Sequence, residues 1–336
     1  MAASIQSAIA KLKHKDIRQR RRAVRMLFDA DAHESVEAFS PFLEDQDVWF
    51  RNKAIEAYRR WAPMHAPHLL EQLAERGGID GQRCVASVLE TIQDVLRTAH
   101  LSRLLLNCED VVVVRRAVRQ LITINEVTTE ELNQFQNSDD YAIRTYAATG
   151  NSDANTLLGM LKDEHPDVRR QAATSLLALD LESDQDQKLQ DALEHDDALW
   201  KLAIPIALQQ SRPTFVDLMT SKGMVQQRFL IQTLKETVVE ADDPRLRMLM
   251  DGDGISLVAR WLVGRNDEKS DVLRHELLFD ERVDSIDKSR LLERLLHRQN
   301  EPVIQELATK LISNSTDELI LSAAQNLYTS STNSDS

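Results

Sequence analysis

A short phrase returns about every thirty residues along this chain, and a period of that length calls for a stacked array of supersecondary units rather than one globular core. Its clearest copy runs from Asp167 to Leu177, D-V-R-R-Q-A-A-T-S-L-L. An acid opens it, an aliphatic residue follows, then Arg, and Ala stands four residues after the aliphatic. The phrase recurs at Phe50-Arg51-Asn52-Lys53-Ala54, Val114-Arg115-Arg116-Ala117-Val118 and Ile143-Arg144-Thr145-Tyr146-Ala147. Weaker copies are Gln19-Arg20-Arg21-Arg22-Ala23 and Gln82-Arg83-Cys84-Val85-Ala86. The small or apolar residue ending each phrase anchors the array at Ala23, Ala54, Ala86, Val118, Ala147, Ala172 and Ala203. Looser copies follow at Phe229, Ala259, Leu291 and Ala323. Successive anchors lie 25 to 32 residues apart, which gives about eleven units.

Each unit reads as two helical stretches. In the sixth, residues 154–162 carry Leu157, Leu158 and Leu161 at helical spacing, and Asp163-Glu164-His165-Pro166 makes the turn with Pro at a favoured helix start. Residues 167–179 then place Val168, Ala172, Leu176 and Leu179 on one face. A helix as short as the first of these cannot bury its stripe alone and needs its neighbours. Alanine at the anchor lets helix backbones approach closely. Pro205 falls inside an expected second helix, 199–209, and should kink it or delay its start. Only nine glycines and eight prolines are present, little material for β-turns. The expected fold is all-α, an α-solenoid of about eleven antiparallel helix pairs.

Charge is uneven. Residues 1–176 hold 23 Lys and Arg against 25 Asp and Glu, whereas 177–336 hold 18 against 29, so the second half is strongly acidic. Such a surface repels nucleic acid and anionic membranes. The exception lies between Lys11 and Arg25, with eight basic residues and one acid, Asp16. No stretch is long and apolar enough to span a membrane. The first fifteen residues lack the charged-then-apolar order of a secretory signal. A cytoplasmic location is therefore expected, with Cys84 and Cys108 as free thiols.

The D-x-V-R-x-x-A phrase resembles HEAT-type repeats, the armadillo-like superhelical class, in the short form of the phycobilin-lyase-like family. The likeness covers most of residues 4–328. In such repeats the Asp and Arg form a ladder between adjacent second helices. The matching acids are Asp16, Asp47, Asp80, Asp110, Asp140 and Asp167. The matching arginines are Arg20, Arg51, Arg83, Arg115, Arg144 and Arg169. The ladder stops after the sixth unit, where the equivalent positions hold Trp200, Gln226, Ser256 and Ile320. The chain thus divides into regular repeats over 1–176, degenerate acidic repeats over 177–328 continuing the same solenoid, and a disordered tail over 329–336.

Several residues invite a functional reading. The arginine series is read as structural, each guanidinium tied to an acid of its own or the next unit, because its planar fork holds two acceptors. Arg18, Arg21, Arg22 and Arg25 are candidate binding residues for a phosphate backbone or an acidic protein, or else a polar cap on the first repeat. No aromatic stacking set accompanies them. One HEAT enzyme family, the deoxyhypusine hydroxylases, binds iron through repeated His-Glu pairs. Here only His33-Glu34 and His275-Glu276 match, too far apart in the series to close one site. HEAT-like alkylpurine DNA glycosylases need a basic face with aromatics at a flipped base. Three of the tryptophans Trp49, Trp61, Trp200 and Trp261 sit instead in helical packing patterns. The acids between Asp180 and Asp197 lack the spacing and glycine of a calcium loop and read as a solvated face. No catalytic residue, metal site or cofactor is expected. The reading is a non-catalytic scaffold or adaptor that binds another protein. The alternative is a nucleic-acid-associated protein, a binder or glycosylase relative, using the basic N-terminal repeats.

Overall fold

The computed structural model describes residues 2–329, and all of its regular structure is helical. The tail expected over 329–336 lies, from residue 330 on, outside the described residues. Two compact units separate at Met1–Ala172 and Ala173–Ser336, a boundary inside the helix Pro166–Leu177.

In the first unit the phrase-bearing helices are Ile17–Asp29, Val48–His65, Gly78–Val88, Val111–Thr123, Tyr141–Gly150 and Pro166–Leu177. Each follows a shorter helical stretch. One of these, His33–Glu44, is a 3-10 helix with Pro41 inside, where an α-helix was expected. The helices Val48–His65, Gly78–Val88, Val111–Thr123 and Tyr141–Gly150 each pack on the next in that order. The anchors hold this contact. Ala23, Ala54, Val118 and Ala147 are all buried. A small side chain, a methyl group at Ala54 and Ala147 and an isopropyl group at Val118, lets the helices meet closely without overpacking.

The second unit follows the same order with Asp197–Gln209, Met224–Thr237, Ile255–Leu262, Ser285–Glu293 and Glu318–Thr329 packing in sequence. Pro205 does not delay its helix, which starts at Asp197. Two loose anchors are displaced by one residue. Leu230 and Ala324 are buried, while Phe229 and Ala323 are only half-buried. The sequence period drifts there because neighbouring positions are also apolar.

Aspartate starts these helices for a local reason. Asp16, Asp47, Asp110 and Asp140 are N-caps whose carboxylates accept backbone N–H bonds from Arg18, Trp49, Val112 and Ala142 at 2.8–2.9 Å. Each satisfies an orphan donor and faces the positive end of the helix, worth about 1 kcal/mol. The second unit repeats the device at Asp196, Asp284 and Asp317. The acidic stretch near Asp180 is thus not merely solvated. Asp196 caps a helix, and Asp186 is buried with Arg212 at 3.7 Å.

Candidate interaction surface

The arginine ladder exists; Arg83 and Arg115 take the phrase acid of the next unit, while Arg20 and Arg144 take acids outside the phrase. Arg20 bonds Asp45 at 2.9 Å, not Asp16. Arg83 bonds Asp110 at 2.5 Å, not Asp80, which lies in the first turn of the uncapped helix Gly78–Val88. Arg115 reaches Asp140 of the following repeat at 2.7 Å rather than its own Asp110. Arg144 bonds Asp163 at 2.8 Å and Glu164 at 3.3 Å rather than Asp140 or Asp167. Asp167 pairs instead with Arg170. At least one ion pair therefore crosses each of these junctions, about one repeat forward.

A second job falls to the same arginines. Arg144 Nη1 donates to the carbonyls of Ser138 and Asp139 at 2.9 and 3.2 Å. Arg51 does this to Asp45 and Gln46, and Arg169 to Asp163 and Glu164. Each guanidinium ties down the turn ahead of its own helix, whose carbonyls have no helical partner.

The ladder does not stop after the sixth repeat. Once the anchor is moved to Leu230, Gln227 occupies the arginine's position. Its Nε2 donates to the carbonyls of Thr220 and Lys222 at 3.3 and 3.0 Å. Arg260 then donates to Gln227 Oε1 at 2.9 Å and to Asp287 at 3.0 Å. Gln227, Arg260 and Asp287 stand on three successive second helices, Met224–Thr237, Ile255–Leu262 and Ser285–Glu293, so the rungs continue with a different residue type and register. Arg298–Asp271 at 2.8 Å and Arg247–Glu276 at 2.6 Å add further rungs.

These contacts set the charge states. Arg115 beside Asp140 holds that carboxyl below its ordinary value of 3.8, against the opposing effect of burial. Arg83 does the same for Asp110. At Asp163 burial pushes the carboxyl upward, but hydrogen bonds from Arg144 and the His165 N–H outweigh it and the net shift is downward. Burial pushes the Cys84 thiol up to about 11, so it is packing and a poor nucleophile. Both cysteines are free.

Of the candidate binding arginines, Arg21 is committed elsewhere. It pairs with Asp47 at 2.7 Å and lies over the Trp49 ring at 5.3 Å. Arg18, Arg22 and Arg25 are exposed, with no carboxylate in ion-pair distance among the described residues. Trp61, Trp200 and Trp261 are buried, and Trp61 and Trp200 spend their indole N–H on Asp31 and the Leu218 carbonyl. Among the described residues, no group of three or more His, Cys, Asp or Glu is placed to hold a metal ion. No helix among them is long and apolar enough to cross a membrane.

One feature of the surface was not read from the sequence. The residue immediately after Asp16, Asp47, Asp110 and Asp140, and the one just ahead of Asp80 in the third repeat, is apolar and faces solvent, whereas Val168 after Asp167 is buried. Ile17, Val48, Ile79, Val111 and Tyr141 are each between 39% and 55% exposed. Four of them are the first residue of their helix and Ile79 is the second, in five consecutive repeats, so they lie along the helix starts beside the ladder. Single exposed aliphatics are ordinary, whereas an aligned series of them marks an interaction surface. Sequence alone does not separate these residues from the core stripe, because an apolar residue at a helix start fits either.

No family model and no curated protein matches the chain. Among solved structures it is similar to engineered proteins. One is 17% identical, with 96% of this chain and 98% of that chain covered and a TM-score of 0.35. A second is 18% identical, covering 87% of this chain and 94% of that one at a TM-score of 0.14. A third is 13% identical, covering 96% of each at 0.14.

Proposed function

We propose that this protein is a HEAT-like α-solenoid scaffold, without catalytic activity of its own, that binds another protein along the edge formed by the helix starts of the first unit. The observation that carries this reading is the exposed apolar row Ile17, Val48, Ile79, Val111 and Tyr141 beside the arginine rungs. Apolar anchors flanked by Arg are the composition of protein interfaces. The rungs support the repeat reading, because at four junctions of the first unit they link a second helix to the next repeat, as expected of a solenoid. Capture of partners by the full chain tests it, with Val48→Asp and Val111→Asp as surface variants. The reading expects a protein retained by the native chain and lost by both variants while their melting curves stay unchanged. Retention of no protein by the native chain sinks it.

The second reading, nucleic-acid binding, draws on Arg18, Arg22 and Arg25, which have no carboxylate in ion-pair distance among the described residues. Counterion release would make such binding steeply salt-dependent. The scaffold reading expects no specific RNA or DNA binding at either of two salt concentrations.

A further inference from the structure

Within the first unit the ladder misses one rung. Carboxylate pairs from Arg20, Arg21, Arg83, Arg115 and Arg144 span the other junctions. Between the helices Val48–His65 and Gly78–Val88 none does, among the described residues. The turn that elsewhere supplies the acid reads Gly77-Gly78 here, with Gly78 in the left-handed region at φ 58°. A glycine suits that backbone, and it removes the carboxylate. Arg51 turns back onto carbonyls of its own turn. Arg59 and Arg76 are exposed, and like Arg51 have no carboxylate within the 4.0 Å of an ion pair among the described residues.

The same junction opens into a cleft of about 690 Å³ lined by all three of these arginines. Its apolar lining includes the half-buried Leu43 and Ile55 and the exposed Val48, a member of the apolar row. The volume lies within the range of built binding sites. Glu44, Glu56 and Asp80 stand around the same cleft, and Tyr58 is buried to its ring. A polyanion would meet those three acids, and a base would find no ring to stack on. A short peptide with one or two acids next to an aliphatic residue needs no stacking ring and brings too little charge to be turned away by three acids set among Arg51, Arg59 and Arg76.

We propose that this cleft takes an acidic, apolar-flanked peptide segment of the partner protein. Its carboxylate supplies the missing rung to Arg51, Arg59 and Arg76, and its aliphatic neighbour settles on Leu43, Val48 and Ile55. This rests on the scaffold reading and narrows it to a partner chemistry. Arginine suits the role because its planar donors hold a carboxylate through two bonds.

The test starts with selection of random displayed peptides on the full chain. The peptides recovered are then synthesised with a fluorescent label and titrated by anisotropy. The proposal expects acidic-aliphatic sequences whose Asp→Asn or Glu→Gln analogues bind about tenfold or more weakly. It expects a similar loss for Arg76→Gln and a larger one for Arg59→Gln with Arg76→Gln. Arg22→Gln with Arg25→Gln should bind as the native chain does. Arg76 is exposed at a helix end, so its variant keeps the fold, which circular dichroism verifies. Recovery of no peptide, or of neutral or basic ones, overturns the proposal. So does equal loss in the Arg22 and Arg25 variant, or displacement of the peptide by a single-stranded oligonucleotide at equal concentration. If a captured partner protein binds the cleft variants undiminished, the cleft proposal fails while the scaffold reading stands. If the native chain captures no protein, the scaffold reading itself fails.

Discussion

Arg144 and Asp163 meet fork to fork, Nε to Oδ2 at 2.8 Å and Nη2 to Oδ1 at 3.0 Å, across nineteen residues of chain. Arg144 also holds two carbonyls of its own turn and is buried. One guanidinium thus fixes a helix start and joins it to the next repeat. Removing it leaves a carboxylate and two carbonyls short of a donor.

Arg144→Ala should therefore lower stability by about 2–4 kcal/mol, the range for breaking a largely buried pair. Arg22→Ala, on the exposed face of the first phrase helix, should stay within about 0.5 kcal/mol. Denaturant midpoints of the two variants decide the matter. Equal midpoints would remove the ladder from the account of stability.

Ala147 is fully buried where neighbouring helices meet. Ala147→Leu should overpack that contact and cost about 1–3 kcal/mol. Ala147→Gly should cost about 1 kcal/mol through helix propensity instead. A Leu variant as stable as the native chain would mean that the anchor is not a close-packed position.

The rung acids also fix a pH dependence. Asp140 and Asp163 titrate below their ordinary value in the folded chain. A depressed folded pKa stabilises above the unfolded value, and that stabilisation is lost as pH falls through the lower folded one. The first unit should keep its stability near neutrality and lose it from about pH 4 downward. Arg115→Gln, which frees Asp140, should make the acid slope shallower. A slope unchanged in that variant would show that the pair contributes nothing in acid.

Asp287 carries the second-unit version of the rung. It is buried and accepts from Arg260 at 3.0 Å and Arg290 at 3.3 Å. Asp287→Asn should cost about 1–3 kcal/mol. Asp253→Asn alters an acid with no ion pair among the described residues and should cost less than about 0.5 kcal/mol. Similar losses at the two sites would mean that no rung exists in the second unit.

What the sequence made legible follows from where the information sits. Helical content and the anchors at Ala54, Val118 and Ala147 could be read because a small residue at fixed spacing has one physical use in paired helices. Which acid each arginine takes stayed open between its own unit and the next. Asp110 lies 5 residues before Arg115 and Asp140 lies 25 after it, and only packing decides between the local and the next-repeat partner. The second-unit ladder was hidden twice, by an anchor slipped from Leu230 to Phe229 and by Gln227 in place of an arginine. The apolar row was hidden because Val48 and Val111 look like members of the core stripe until their solvent exposure is known.

The most direct measurement is a scan with a photo-reactive residue placed singly on the first unit in the presence of the captured partner. Val48, Ile79 and Val111 test the row. Arg119, exposed toward the far end of Val111–Thr123, and Glu90, exposed in the 3-10 turn Leu89–Thr91 that follows Gly78–Val88, serve as controls. The account predicts crosslinks from the row positions and none from the controls. Crosslinks from Glu90 and Arg119 with none from Val48, Ile79 and Val111 would contradict it.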